Sequence, residues 1–204
     1  MAEATNGVPP LDKREVREFF DSCAPSWDAE MIKDDRIINI ILDNASVCTG
    51  KNILDVACGT GVLIPYYFAR RPASVTAADI SPEMCRICSD KFSDRGVSVI
   101  CCDAETYDFP KQYDAIVIYN AFPHFPDPEG LIKRLSGALV SGGMLTVAHG
   151  MSRDRINSHH SGTAHRVSVG LMTVKELADL FRKYLDLKLA LSNDMMYQVV
   201  GRKK

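Results

Sequence analysis

The sequence predicts an α/β fold: a doubly wound, seven-stranded, mainly parallel sheet with an antiparallel closing strand and N-terminal helices. Three observations carry this. Short apolar runs rich in Val, Ile and Leu alternate with helical patterns from Asn52 onward, an order that packs parallel strands between helices and winds them by right-handed crossovers. A Gly59/Gly61 break separates the first strand from the helix after it. The chain ends on two strand-like runs joined at Ser192-Asn193-Asp194.

The elements follow in order. Charged residues with an apolar edge from Leu11 to Phe20 read as a short helix, and Trp27, Met31, Ile38, Ile41 and Ala45 recur at helical spacing over 27–45. Strands are expected at Asn52–Ala57, Val75–Asp79, Val97–Cys102, Tyr113–Tyr119 and Met144–His149, the last entered through Gly142-Gly143. Helices are expected from about Val62 to Arg71, from Pro82 behind a Ser81 cap, and from Pro128 to Leu139. A polar segment, Gly150 to Met172, holds three of the five histidines and is too long for an ordinary connection. Thr173 and Glu176 form a capping-box signature for a helix to Tyr184. Strands at about Asp186–Leu191 and Met195–Val200 finish the chain.

Composition bounds the function. At 204 residues, 46% hydrophobic and 25% charged, the chain supports one sizeable core. A single domain over 11–204 is expected, after a disordered tail at 1–10. The net charge of -2 comes with no Lys/Arg stripe, so nucleic acid is not an expected partner. No apolar run is long enough to span a bilayer, and MAEATNGVPP lacks the basic start and apolar centre of a signal peptide. Seven cysteines without an even framework fit a reducing cytoplasm. Cys85 and Cys88 form a C-x-x-C pair on one face of a helix, and Cys101 and Cys102 close a strand. Ligand pairs usually sit on turns, so buried reduced thiols are expected.

The chemistry gathers at strand ends, where open α/β sheets bind ligands. In ILDVACGTG (53–61) a strand runs into a glycine loop whose missing Cβ atoms admit a ligand to the backbone; alone, such a loop is also an ordinary strand-to-helix turn. Asp79 ends the second strand, and a carboxylate there accepts hydrogen bonds from both hydroxyls of a ribose. Asp103 follows the third strand, where an acid can reach the exocyclic amine of an adenine.

ILDVACGTG, AADISPEM, CCDAETYDF, YDAIVIYNAFPHFPDP and GGMLTVAH resemble the successive motifs of class I S-adenosylmethionine-dependent methyltransferases. Phe20 to Asp28 resembles the N-terminal segment of the ubiquinone/menaquinone-biosynthesis type, which closes over its cofactor; here that implies lid helices over 11–45, with Trp27 on the cofactor. The closing hairpin is the usual finish of such a sheet. The resemblance implies S-adenosyl-L-methionine as cofactor. Asp55, Ala57 and Gly59, with Thr60 and Gly61 of the same loop, would lie under its methionine part. Asp79 would hold the ribose, Ile80 would pack on the adenine, Asp103 and Ala104 would meet the ring, and Asn120 would stand beside the sulfonium. Ala57 replaces the first glycine of the usual motif, which removes the G-x-G-x-x-G spacing of a nicotinamide site. Tyr119-Asn120-Ala121-Phe122 replaces the Asn/Asp-Pro-Pro-aromatic motif for methylating adenine or amide nitrogen.

The expected reaction is methyl transfer to a small-molecule acceptor by in-line displacement. Its acceptor site would comprise His124 and His149 as catalytic candidates, with Tyr119, Phe122, Phe125, His159 and His160 around the substrate. Three roles stay open for the histidines: general base, ligands of a divalent metal, or surface residues. Two rival functions also stay open, a non-catalytic S-adenosylmethionine-binding subunit and a nicotinamide oxidoreductase on the same scaffold. The acceptor, the atom methylated and the oligomeric state are not readable from the sequence.

Overall fold

A computed structural model describes residues 11–110, 112–160 and 165–204; the expected tail at 1–10 lies outside them. Seven strands form one sheet in the order β3-β2-β1-β4-β5-β7-β6. They are β1 (Asn52–Val56), β2 (Ser74–Asp79), β3 (Ser98–Cys101), β4 (Tyr113–Tyr119), β5 (Leu139–His149), β6 (Asp186–Ser192) and β7 (Tyr197–Arg202). The first five run parallel, and β7 inserts antiparallel between β5 and β6. The expected sheet is the observed one.

Eight helices flank it among the described residues: α1 (Lys13–Cys23), α2 (Trp27–Glu30), α3 (Asp35–Asn44), α4 (Ile64–Ala69), α5 (Pro82–Lys91), α6 (Pro128–Gly137), α7 (Arg153–His160) and α8 (Val174–Tyr184). Alternation along the strands divides the core in two. Ile53, Val117 and Ala148 face α3 and α4, while Leu54, Ile118 and Val147 face α6 and α8. The predicted caps are present: Ser81 Oγ accepts the Met84 amide, and Thr173 and Glu176 close a reciprocal capping box.

Three expectations change. The helix read over 27–45 is two helices, because Met31 is extended and Asp34 caps a new start by accepting the Arg36 and Ile37 amides. The fifth strand begins at Leu139, not Met144; Leu139 already pairs with Tyr113, and a register shift passes through Gly142 at φ +78°. The polar segment 150–172 contains α7, whose one apolar residue, Ile156, leaves too little apolar pattern to read. Ile156, Val167 and Leu171 are buried, so the segment also has a core role.

Candidate active site

A cleft open to solvent lies at the carboxyl ends of β1 to β4. Its floor is the loop after β1. Ala57 and Gly59 line it, both with positive φ (55° and 54°). A Cβ at Gly59 would point toward Trp27 and Met84 on the cleft side. Gly61, two residues on, serves packing instead: a Cβ there would stand 2.6 Å from the Phe92 ring and 2.8 Å from Ile64.

Asp79 is the central acid. It is 7% exposed, and its two oxygens accept the Gly59 amide at 2.8 Å and the Ser81 amide at 2.9 Å. Burial raises its pKa, against the pull of these backbone donors. A carboxylate has about four lone-pair sites, so two amides leave acceptor capacity for hydroxyl donors from the cleft. Ile80 lines the wall beside it, and Asp103 and Ala104 follow at the end of β3. Asp103 accepts the Glu105 amide at 3.0 Å on one oxygen and Lys13 Nζ at 2.5 Å on the other. Two strand-end acids over an open glycine floor suit a nucleoside with its ribose on Asp79 and its base toward Asp103.

The N-terminal segment covers this floor and is tied to three successive strand ends. Lys13 bridges Asp103 and the largely buried Glu105. Asp21 accepts Ser81 Oγ at 2.5 Å and the Glu83 amide at 3.2 Å. Asp28 accepts Thr60 Oγ1 at 2.5 Å and pairs with Lys91 at 2.7 Å. Trp27 lines the cleft, edge-on to Phe20.

The far end of the cleft belongs to β4. Tyr119 and Asn120 line it, and burial pushes the Tyr119 hydroxyl up to about 12. Asn120 adopts φ 54° and uses Oδ1 to accept the Gly150 amide at 2.9 Å. His124, in the turn after β4, lines the cleft beside Phe125. Its Nδ1 donates to the Val167 carbonyl at 2.6 Å, and Phe20 meets the ring edge-on at 4.9 Å.

The structure thus brings together Trp27, Ala57, Gly59, Asp79, Ile80, Asp103, Ala104, Tyr119, Asn120, His124 and Phe125. Other candidates stand elsewhere. Asp55 is buried on the α4 face of β1; burial first, then the Asp79 charge, push its carboxyl up to about 8, with the Tyr67 hydroxyl opposing. Thr60 is buried on Asp28, and Phe122 turns into the core under α6. His149 is 2% exposed and edge-on to Tyr197. Strand alternation gives Ala148 to one face and His149 to the other. His159 and His160 close α7, and their side chains lie outside the described residues. Sequence reasoning missed Lys13, Met31, Ile32, Lys33 and Glu105, which also line the cleft. Lys13, Val16 and Phe20 all face it at helical spacing, a signal that was present in the sequence.

Sheet order, antiparallel β7 and a strand-end cleft with paired acids define a Rossmann-like domain of the methyltransferase kind. Residues 53–143 match the family described as methyltransferase domain. A malonyl-[acyl-carrier protein] O-methyltransferase of Acetivibrio thermocellus is 32% identical over 138 residues, 66% of this chain and 49% of that protein. A ubiquinone biosynthesis O-methyltransferase of Klebsiella pneumoniae is 27% identical over 154 residues, 71% and 63% respectively. The chain therefore spans about half to just under two thirds of these relatives' length. The N-methyltransferase NodS of Bradyrhizobium japonicum, solved with S-adenosyl-L-homocysteine, superposes with a TM-score of 0.74 at 12% identity, covering 92% of this chain and 98% of that one. That likeness shows the fold. Residues 53–143 thus form a methyltransferase domain, on the Rossmann-like fold that its solved neighbours share.

Proposed function

We propose that the chain transfers a methyl group from S-adenosylmethionine to an oxygen of a small-molecule acceptor. The observation that carries the reading is one cleft joining the Asp79 and Asp103 carboxylates, over an open glycine floor, to the His124 imidazole. The names of the two relatives, both O-methyltransferases, favour oxygen. When bound, the cofactor supplies an already electrophilic methyl group. The protein's work is alignment: Asp79 takes the ribose hydroxyls, Asp103 the base amine, and Ala57 and Gly59 leave room for the amino-acid part. Such positioning lowers a barrier by about 7–11 kcal/mol. A hydroxyl acceptor must also lose a proton. Nδ1 of His124 is committed to a carbonyl, so the neutral ring takes that proton on Nε2.

Phe125, Tyr119 and the Phe20 edge supply apolar walls for the acceptor, with helix α7 and its terminal His159 and His160 in the same acceptor-side segment. The 11–45 segment acts as a lid, for which its ties to three strand ends give support. Seven free cysteines suit a reducing cytoplasm, the proposed compartment. Among the described residues no helix is long and apolar enough to cross a membrane, and no cluster of three or more His, Cys, Asp or Glu is arranged to hold a metal ion.

The test has two arms. Calorimetric titration should show S-adenosylhomocysteine binding, and a panel of phenols, quinols, carboxylic acids, thiols and amines should reveal an acceptor by S-adenosylhomocysteine release. His124→Ala should then cut turnover by about 10²–10⁴-fold, the usual worth of a general base, while cofactor affinity holds. Absence of binding by the unaltered chain sinks the reading. Wild-type turnover by His124→Ala removes the base.

A further inference from the structure

The turn that carries His124 is held from outside the sheet, by chain that follows β5. Helix α7 and the stretch 165–171 form a small polar scaffold. Arg153 Nε donates to the Leu171 carbonyl at 2.8 Å. Asn157 engages both backbone groups of Leu171: Oδ1 accepts the amide at 2.7 Å, and Nδ2 donates to the carbonyl at 3.4 Å. The stretch in turn grips the catalytic turn twice. The Val169 amide donates to the Pro123 carbonyl at 2.9 Å, and the Val167 carbonyl accepts His124 Nδ1 at 2.6 Å. Ile156, Val167 and Leu171 are 6%, 4% and 2% exposed, so the scaffold is anchored in the core.

This arrangement bears on proton chemistry. An imidazole has two nitrogens, and the partner of one decides which of them is basic. Here the partner is a backbone oxygen, and its place depends on how residues 165–171 are fixed. Arg153 donates to the Leu171 carbonyl, which Asn157 also meets. The Leu171 amide is buried and pairs with Asn157; stripping it of that partner leaves a desolvated donor, costly enough to move the backbone.

We infer that Asn157 is a positioning residue for His124: it fixes the Leu171 backbone, which places the Val167 carbonyl, which holds the proton on Nδ1 and aims Nε2 into the cleft. The inference rests on the reading of His124 as the acceptor-side base. Asn157 itself touches neither substrate nor cofactor.

The experiment uses the full chain labelled with 15N and reads the histidine ring nitrogens by NMR at pH about 8, above the ordinary imidazole range. Loss of one ring system in His124→Gln assigns the signals. Asn157→Leu should shift the His124 tautomer ratio away from Nδ1–H. Asn157→Asp retains the Oδ1 acceptor for the Leu171 amide and should keep the wild-type ratio. S-adenosylhomocysteine affinity should stay within about twofold in both, a difference of less than half a kcal/mol. Three outcomes overturn the inference: unchanged ring signals in Asn157→Leu, equal loss in Asn157→Asp, or loss of S-adenosylhomocysteine affinity alongside the tautomer, which marks a merely structural role. If the unaltered chain fails to bind S-adenosylhomocysteine, the methyl-transfer reading falls, while the tautomer result still decides whether Asn157 orients the ring.

Discussion

Beyond β1 and β2, the Asp79 carboxylate meets the Gly59 amide at 2.8 Å, joining the ends of two adjacent strands. Beyond β4, His124 finds its partner in the Val167 carbonyl, 43 residues later, and its ring neighbour in Phe20 of the first helix. The side of the cleft proposed for the cofactor is written in short stretches that each end a strand. The side proposed for the acceptor is assembled from pieces far apart in the chain. A strand-end motif of backbone geometry and one acid can serve many enzymes unchanged, whereas a borrowed wall can be rebuilt for each acceptor by altering a loop.

The largest effect should come where the cofactor-side loop is also a packing element. At Gly61 φ is +88°, and an added Cβ would stand 2.6 Å from Phe92, 2.8 Å from Ile64 and 3.0 Å from Cys88. Left-handed strain of about 1–2 kcal/mol adds to overpacking of about 1–3 kcal/mol. Gly61→Ala should therefore destabilise the chain by about 2–5 kcal/mol in urea unfolding. A change under about 0.5 kcal/mol, the range of ordinary surface substitutions, would mean that the loop is not rigidly packed.

Asp79→Ala separates the two sides of the cleft. It removes a buried acceptor of two backbone amides and, on the proposed reading, of the ribose hydroxyls. Charge-assisted bonds contribute about 1.5–3 kcal/mol each, so S-adenosylhomocysteine affinity should fall more than about tenfold. His124→Ala should leave it nearly unchanged. Equal losses in both variants would abolish the division drawn between the sides.

The same division governs what was legible. Sheet order, the caps at Ser81 and Thr173, and the strand-end positions of Ala57, Gly59, Asp79 and Asp103 rest on local patterns, and the structure gathers these four residues in the cleft. His149 was not separable from His124 by sequence, because one ends a strand and the other stands just beyond one; only the parity of β5 sends His149 to Tyr197. Phe122 and Phe125 look alike in FPHF, yet one packs under α6 and the other lines the cleft. Helix α7 shows a single apolar anchor, Ile156, and its hold on Leu171 is a long-range contact with no local signature.

A smaller, pH-dependent effect should come from beneath the cofactor side. Burial raises the Asp55 carboxyl from 3.8 to about 8, and Asp79 moves in the same direction. The folded state therefore holds these protons after the unfolded chain has released them. The Asp55 contribution to stability is greatest below the unfolded value near 4 and is lost as pH climbs toward 8, at up to about 1.4 kcal/mol per pH unit. Asp55→Asn removes one of these titrations. Its melting temperature should fall less steeply than that of the wild type as pH is raised through this window. Parallel melting curves for the two proteins would show that Asp55 ionises in the fold as it does in the unfolded chain.

The smallest effect sharpens the comparison most directly, because the two sides share one strained geometry. Ala57 and Asn120 end the adjacent central strands β1 and β4 with φ of 55° and 54°. Asn tolerates the left-handed region better than other non-glycine residues, and Asn120 Oδ1 also accepts the Gly150 amide at 2.9 Å. Ala57 has neither compensation. Replacing it by Gly relieves about 1–2 kcal/mol of backbone strain against about 0.4–1 kcal/mol of added unfolded-chain entropy. Ala57→Gly should therefore be stabilising by about 0–1.6 kcal/mol, with cofactor affinity preserved. Asn120→Gly gains less backbone relief, because Asn is less strained there, and loses a bond worth about 0.5–1.5 kcal/mol that joins the ends of β4 and β5. It should come out neutral to destabilising, and its turnover should suffer more than its S-adenosylhomocysteine affinity. Urea unfolding and calorimetry on the pair decide the matter. If Ala57→Gly destabilises while Asn120→Gly stabilises, the strained turn on the cofactor side is the one held by side-chain contacts, and the contrast between a local cofactor floor and a borrowed acceptor wall is drawn the wrong way round.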